Sequence, residues 1–184
     1  MKYLYFSLLL LSLSACGEDD EALPSATTSP LSCCATAPLT GELDGSSFYL
    51  PNAFTPNGDG INDIFLVYAG NNIQEVVSLE IYDPSGRRMY RAERLVPNDV
   101  SRAWDGRYRN GVFEGYFTYR VKLFSVSGQL GTYVGAACSI RCIGTEGLIE
   151  AGNWEFCTFG TQQNGLGEPD LSVPSFEDER CIGG

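Results

Sequence analysis

Side chains that could bind a cation occur at alternate positions of one short segment of the sequence. Asn57, Asp59 and Asp63 carry oxygen ligands, and the main-chain carbonyl of Ile61 lies between them. Calcium loops use alternate residues in this way because calcium takes six to eight oxygen ligands. The segment lacks the glutamate that closes a typical acidic calcium loop, so the sequence predicts a weak calcium site.

The same segment is also typical of a tight turn that binds nothing. Gly58 and Gly60 tolerate the positive φ angles of such turns, and Asn or Asp side chains accept hydrogen bonds from their own backbone. The sequence therefore leaves two interpretations open, a calcium loop and a plain turn. We expect the protein to require no other cofactor.

The N-terminal segment has the features of a bacterial export signal. Lys2 precedes an apolar stretch, residues 3–13, that is too short to span a bilayer. Residues 13–16, Leu-Ser-Ala-Cys, resemble the lipobox of bacterial lipoproteins. The resemblance implies that residues 1–15 are a signal peptide and that Cys16 becomes the acylated N-terminus. An ordinary signal peptide that ends near a cysteine is the alternative.

The residues after Cys16 predict how the protein is presented. Residues 18–21 are all acidic, which resembles the surface-export signals of lipoproteins in the Bacteroidota, although a solvated acidic linker is the simpler interpretation. Residues 16–47 are rich in Ser, Thr, Ala, Pro and acids and are predicted to form a tether. Several acyl chains, palmitate among them, would hold the protein at the outer membrane.

Six cysteines remain once Cys16 is assigned to lipid, and an exported protein lies where disulfides persist. We therefore predict three disulfides, whose connectivity the sequence does not fix. A bridge between adjacent cysteines is strained, so we expect the first two cysteines each to reach a distant partner. A zinc site that uses the pair at 138 and 142 is the alternative. The six candidates are Cys33, Cys34, Cys138, Cys142, Cys157 and Cys181.

Charge and composition exclude several classes of function. The chain of 184 residues has a net charge of −11, which argues against a nucleic-acid partner because phosphate binding needs a basic surface. Histidine is absent, which removes Ser-His-Asp and Cys-His mechanisms. A glycosidase that uses two carboxylates needs no histidine, but no Asp or Glu lies in a motif with a defined catalytic role. We therefore expect a protein that is not an enzyme.

Short apolar strands separated by turn residues predict an all-β fold for residues 48–142. We expect strands at residues 48–54, 64–69, 76–82, 87–93, 116–124 and 130–140, with Trp104 and Tyr119 in the core. This spacing is typical of an immunoglobulin-like β-sandwich. Residues 143–184 have few apolar residues, with Trp154 among them, and are predicted to be a C-terminal extension held by disulfides.

Three motifs, taken in order, resemble a known domain family. They are residues 49–65 (YLPNAFTPNGDGINDIF), residues 79–86 (LEIYDPSG) and residues 104–119, which contain Trp-Asp-Gly, Asn-Gly and EGYFTY. Together they resemble the gliding motility-associated C-terminal domain of the Bacteroidota, over about residues 48–136. The resemblance implies an immunoglobulin-like sandwich on an exported protein, with a sorting role in type IX secretion.

This chain differs from the usual arrangement of that family. It carries a lipobox, and residues 143–184 follow the last predicted strand. We therefore expect a non-catalytic surface lipoprotein that displays its sandwich for attachment or assembly, with a surface protein or polysaccharide as partner. An accessory subunit of a secretion or gliding machine is the alternative, and a small carboxylate-dependent hydrolase is a further one.

Overall fold

The computed structural model of the protein describes residues 33–140 and 156–177. The predicted signal peptide and lipidated Cys16 lie outside these residues, as do Cys142, Trp154 and Cys181. In the two described ranges there is no helix that is both long and apolar enough to cross a membrane.

The described residues form β-strands joined by turns, as the sequence predicts. One short 3-10 turn, Val100–Arg102, interrupts the series. In chain order the strands are β1 (Leu39–Leu43), β2 (Ser46–Leu50), β3 (Ala53–Phe54), β4 (Tyr68–Ala69), β5 (Ile73–Tyr82), β6 (Arg88–Leu95), β7 (Arg107–Tyr108), β8 (Gly111–Val112), β9 (Gly115–Ser125) and β10 (Leu130–Ser139).

Two sheets face each other across one core. The larger has five strands in the order β3-β10-β9-β5-β6, and the smaller has three in the order β1-β2-β4. Neighbouring strands are antiparallel except β3, which runs parallel to β10. The β7–β8 hairpin forms a separate two-stranded ribbon. This sandwich-like architecture confirms the all-β fold class.

Aromatic rings fill the space between the sheets. Trp104 and Tyr119, both predicted to be core residues, are 1% and 0% exposed. The ring of Phe117 lies 5.1 Å from the rings of Phe65 and Trp104, with planes nearly perpendicular at 89° and 85°. Such edge-to-face pairs add about 0.5–1.5 kcal/mol each beyond the burial of apolar area.

The sandwich begins before the predicted boundary at residue 48. Strand β1 (Leu39–Leu43) lies inside the range predicted as a tether, and β2 (Ser46–Leu50) crosses the boundary. Polar and exposed residues alternate with partly buried ones in β1, so composition alone resembles a linker. The positive φ angles of Asp44 and Gly45 form the turn that joins the two strands.

Two of the predicted strands need correction. Residues 48–54 are not one strand: β2 ends at Leu50 and β3 begins at Ala53, and the two belong to different sheets. Pro51 lies at this change of sheet, where its missing N–H costs no ladder hydrogen bond. Residues 64–69 contain only the two-residue strand β4 and a single bridge between Phe65 and Trp104.

The alternation in β5 is also interrupted. The sequence places Val77, Leu79 and Ile81 on one face, but Val76 is the buried valine, at 1% exposure. The pairing of β5 with β9 shifts register between Val76 and Ser78. Such a bulge turns the side chains before it to the other face, which explains the error.

Candidate functional site

The acidic loop at residues 57–63 is stabilised by its own carboxylates. Asp63 accepts hydrogen bonds from the backbone N–H of Gly58 at 2.6 Å and of Gly60 at 2.7 Å. Both glycines have positive φ angles, +85° and +89°, that side-chain-bearing residues adopt at a cost. The glycines therefore let the backbone curl around the Asp63 carboxylate.

The other predicted calcium ligands take part in the same turn. Asp59 accepts from the backbone N–H of Ile61 at 2.8 Å and from the side-chain amide of Asn57 at 2.9 Å. Asn57 in turn accepts from the backbone N–H of Asp59 at 2.9 Å. The carbonyl of Ile61 accepts from the Thr55 hydroxyl at 3.4 Å. Each proposed oxygen ligand thus already has a hydrogen-bond donor.

These contacts favour the plain-turn interpretation over the calcium loop. The structure brings Asn57, Asp59, Ile61 and Asp63 into one loop, as predicted. Among the described residues no three Asp, Glu or Cys side chains are placed to hold a metal ion, but the predicted set, with two carboxylates, an amide and a carbonyl, is not of that kind. Weak calcium binding stays a prediction that a titration can test.

Glu177, far along the chain, closes the base of this loop. Its Oε1 accepts from the Thr55 hydroxyl and from the Asn62 side-chain amide, each at 2.6 Å. Asn62 also donates to the carbonyl of Ser175 and accepts from the backbone N–H of Thr161. Residues 156–177, here called the C-terminal segment, therefore form one hydrogen-bonded unit with the acidic loop.

The environment of Glu177 changes its acidity. Burial raises the pKa of the Glu177 carboxyl, and the nearby charges of Asp59 and Asp63 raise it further, while the bonds from Thr55 and Asn62 act in the opposite direction. Its second oxygen, Oε2, is buried and has no hydrogen-bond donor among the described residues. The ionised form of the Glu177 carboxyl is therefore less stable than that of an ordinary exposed glutamate.

Asn52 joins three separate segments of the chain. Its side-chain amide donates to the carbonyls of Thr36 at 2.8 Å and Phe156 at 2.9 Å, and its Oδ1 accepts from the N–H of Thr158 at 2.6 Å. Its carbonyl accepts from the N–H of Cys138 at 2.9 Å. Asn52 is 1% exposed and Thr158 is also buried, so the bond between them is shielded from water, whereas the bonds to Thr36 and Phe156 are partly exposed.

Two disulfides lie beside Asn52. Cys33 is bonded to Cys138, with Cα atoms 5.4 Å apart, and Cys34 to Cys157, with Cα atoms 4.8 Å apart. The two adjacent cysteines thus reach different distant partners, as expected from the sequence. They link the segment before β1 to the last strand and to the C-terminal segment.

Cysteine pairing also decides against the zinc alternative. Cys138 is in a disulfide with Cys33, so it is not a free thiolate for a metal shared with Cys142. The remaining two predicted partners, Cys142 and Cys181, lie outside the described residues. Their pairing with each other stays a prediction.

The described tyrosines with strongly raised pKa values are buried in the core or, for Tyr68, half-buried. Burial raises the pKa of Tyr68 to about 12 and that of Tyr49 further. The Tyr49 hydroxyl donates to the carbonyl of Phe159 at 2.8 Å, which attaches the C-terminal segment to β2. These groups stay protonated and act in packing rather than in proton transfer.

Sequence reasoning missed Asn52 and Glu177 as organising residues. Both act on segments about 100 residues away along the chain, and a single sequence carries no signal for such long-range bonds. Asn52 lies in the first motif of the family resemblance, but the sequence does not show which groups its side chain bonds.

The comparisons with known proteins agree with the family resemblance. Residues 48–135 match the model of the CHU_C type IX secretion signal domain. No curated protein matches the chain. The matched range includes the acidic loop, Asn52 and strands β5 to β9, whereas Glu177 and all four bridged cysteines lie outside it.

Proposed function

Because residues 48–135 form a type IX secretion signal domain, we propose that this protein is a non-catalytic lipoprotein that displays the domain at the cell surface for attachment or assembly. A domain of this family indicates a cell-envelope or surface-related protein with an association with type IX secretion. The lipid anchor and the absence of catalysis are our proposals.

One observation supports display most directly. The segments on both sides of the matched range are bonded to it through Asn52. The Cys33–Cys138 disulfide links the preceding segment to the end of β10, and Cys34–Cys157 links the two flanking segments to each other. The flanking segments therefore complete the sandwich and cover one end of it. This arrangement suits a durable module outside the cell, where disulfides persist.

The proposed lipid anchor is tested by fractionation. In Cys16→Ala the acceptor thiol is lost, so the protein should leave the membrane fraction or stay uncleaved. Ser14→Ala, which leaves the cysteine in place, is the control and should remain in the membrane. Normal processing of Cys16→Ala together with unchanged membrane association would contradict the anchor.

The proposed absence of catalysis rests on the available side chains. The sequence has no histidine, and four of the cysteines are in disulfides. Glu177, the described carboxyl with a raised pKa, accepts two hydrogen bonds that attach it to the loop. A hydrolase screen on polysaccharides and peptides should find no turnover. Turnover abolished by Glu177→Gln would instead support the carboxylate-hydrolase alternative.

A second candidate function is an accessory subunit of the type IX secretion or gliding machinery. The family match favours it because domains of this family are associated with that system. Cross-linking on intact cells should then recover a component of the machinery. A surface polysaccharide or an unrelated surface protein as the cross-linked partner would favour attachment.

A further inference from the structure

The positive charges of this acidic protein are concentrated in one part of the fold. All nine basic residues that the structure describes lie between Arg87 and Lys122, where only four acidic residues accompany them. The other ten described acids lie elsewhere in the chain. Residues 87–122 therefore carry a net charge of +5, although the whole protein carries −11.

Strand β6 (Arg88–Leu95) brings several of these charges to an edge of the five-stranded sheet. Arg88, Arg91 and Arg94 are exposed on it. Glu80 pairs with Arg88 at 3.1 Å and with Arg91 at 3.7 Å, and Glu93 pairs with Arg91. In the described part of the chain, no ion pair includes Arg94 or Arg102.

The other edges of the two facing sheets contact the rest of the chain to different extents. At β3, Asn52 and the segment around Thr158 occupy the main-chain bonding positions. At β4, the Asn98 side chain accepts from the N–H of Ala69 at 3.1 Å and donates to its carbonyl at 2.8 Å, as a neighbouring strand would. At β1, the Tyr133 hydroxyl reaches the carbonyl of Glu42, an acidic residue.

The β6 edge is contacted at two points, both by Arg102. The Arg102 guanidinium donates to the carbonyl of Arg94 at 3.4 Å, and the Tyr90 hydroxyl donates to the carbonyl of Arg102 at 2.8 Å. Between these contacts lies an open groove of about 550 Å³. Its walls are Tyr90, Arg91, Ala92, Glu93, Arg102 and Ala103.

We propose that the β6 edge binds an extended, acidic segment of a partner polypeptide, which pairs with Tyr90–Glu93 through main-chain hydrogen bonds and places carboxylates beside Arg91 and Arg102. An open sheet edge offers unpaired N–H and C=O groups, which is the basis of recognition by strand addition. Carboxylates form charge-assisted bonds with guanidinium groups.

Charge also determines which strand the edge rejects. Lysine and arginine on a sheet edge commonly prevent pairing with another copy of the same edge, because like charges then lie opposite each other. Arg88, Arg91 and Arg94 would oppose one another in such a pair. The same charges attract an acidic strand, so a single arrangement excludes self-association and selects the partner.

This inference rests on the proposed function in so far as the protein acts by binding, and it names the partner surface. Failure of this inference and failure of the proposed function can be distinguished by experiment. Fractionation of Cys16→Ala tests the anchor without reference to β6, whereas the experiment below uses no membrane readout.

The experiment titrates the full mature protein, in neutral detergent, with an eight-residue peptide that alternates Glu and Val, by calorimetry. Two matched probes accompany it: the same peptide with Lys in place of Glu, and the acidic peptide with N-methyl groups on alternate amides. We expect the acidic peptide to bind and the lysine peptide not to bind. N-methylation should weaken binding at least about tenfold because main-chain pairing is lost.

Two charge-reversal variants locate the binding surface. Arg91→Glu and Arg102→Glu should each weaken the acidic peptide about tenfold. Arg109→Glu, in the β7–β8 hairpin, makes the same change of charge outside the groove and should bind as the wild type does. Melting temperatures show that each variant is folded.

Three results would overturn the proposal. They are no binding of the acidic peptide, binding that N-methylation leaves unchanged, and equal losses in Arg91→Glu and Arg109→Glu. The second result would mean that charge alone holds the probe, as expected for an anionic polysaccharide site rather than a strand site.

Discussion

The two edges of the five-stranded sheet differ in how firmly the rest of the chain is bonded to them. At β3, two disulfides and the buried side chain of Asn52 bond the edge to distant segments of the chain. At β6, pairing with β5 is the only strand contact among the described residues, and exposed arginines flank an open groove.

This difference separates stability from recognition. Substitutions at the β3 edge remove covalent links or buried hydrogen bonds, so they should change the free energy of unfolding strongly. Substitutions at the β6 edge change exposed charges, so they should change binding and leave stability almost unaltered. The predictions below follow this order.

Loss of a disulfide should have the largest effect. The Cys33–Cys138 bond closes a loop with a sequence separation of 105 residues, and such long loops restrict the unfolded chain strongly. Cys33→Ala/Cys138→Ala should lower the free energy of unfolding by about 2–5 kcal/mol in urea denaturation. With reductant added, wild type and variant should converge. A variant as stable as the oxidised wild type would contradict this account of the β3 edge.

Loss of the Asn52 side chain should come next. Asn52→Ala removes the partner of the buried N–H of Thr158 and the partner of the partly buried carbonyls of Thr36 and Phe156. We expect a loss of about 2–4 kcal/mol, since each unpaired buried polar group costs about 1–3 kcal/mol. Asn72→Ala removes one exposed bond to a backbone carbonyl and is the control. Equal effects at the two positions would refute the special role of Asn52.

Substitutions in the acidic loop distinguish a plain turn from a calcium site. Asp63→Ala removes the acceptor of two backbone N–H groups, and we expect a loss of about 1–2 kcal/mol with EDTA present. The calcium hypothesis adds a second effect: millimolar calcium, but not magnesium, should raise the melting temperature of the wild type and not that of Asp59→Ala/Asp63→Ala. Equal melting curves with and without calcium would leave the plain turn as the remaining interpretation.

The Glu177 carboxyl should give a smaller, pH-dependent effect. Its pKa is raised above the ordinary value of 4.5, so the native state holds the proton to a higher pH than the unfolded state does. The native state then binds more protons in this window, and the free energy of unfolding falls as pH rises through it. Glu177→Gln, which carries no charge, should lose less stability over the same range.

Melting curves between pH 4 and 7 measure this difference. Glu177→Gln and wild type should nearly coincide at the acidic end, where both side chains are neutral, and the variant should melt higher at the neutral end. Glu42→Gln makes the same substitution at an exposed position of β1 and should follow the wild type. A variant that melts lower at pH 7 would contradict the direction assigned to the Glu177 pKa.

The β6 charges should have the smallest effect on stability. Arg91 is exposed, and its mostly buried partner Glu80 keeps a second ion pair with Arg88, so Arg91→Glu should lower the free energy of unfolding by only about 1 kcal/mol. The same variant should nevertheless lose most of its affinity for the acidic peptide. A large destabilisation would instead assign Arg91 to the fold.

Local patterns were enough to predict most of the sandwich. Alternation in β9 places Phe117, Tyr119, Val121 and Leu123 inward, and all four are buried as expected. The pattern failed where tertiary structure overrides it. Strand β1 lies in a segment of polar composition, and in β5 the bulge near Val76 turns inward Val76 instead of Val77, while Leu79 and Ile81 are buried as expected. Short-range periodicity cannot report a change of register or of sheet.

The candidate site was predicted only in part. The loop residues Asn57, Asp59 and Asp63 were found because their spacing is local, and distant partners for Cys33 and Cys34 followed from a steric argument. Glu177 closes the same loop from 114 residues beyond Asp63, and nothing in its own neighbourhood marks it. The excess of basic residues in residues 87–122 is visible in the sequence. Only the structure shows that part of it lies on β6, at an edge of the sheet.

Amide hydrogen exchange on the full mature protein tests the central claim most directly, because it reads both edges at once. Amides of residues 90–93 that face away from β5 should exchange fast in the free protein and slow down when the acidic peptide is added. The N–H groups of Asn52, Cys138 and Thr158 should stay protected in both states and lose protection when the disulfides are reduced. Protection of residues 90–93 in the free protein, or equal slowing by the lysine peptide, would contradict the account.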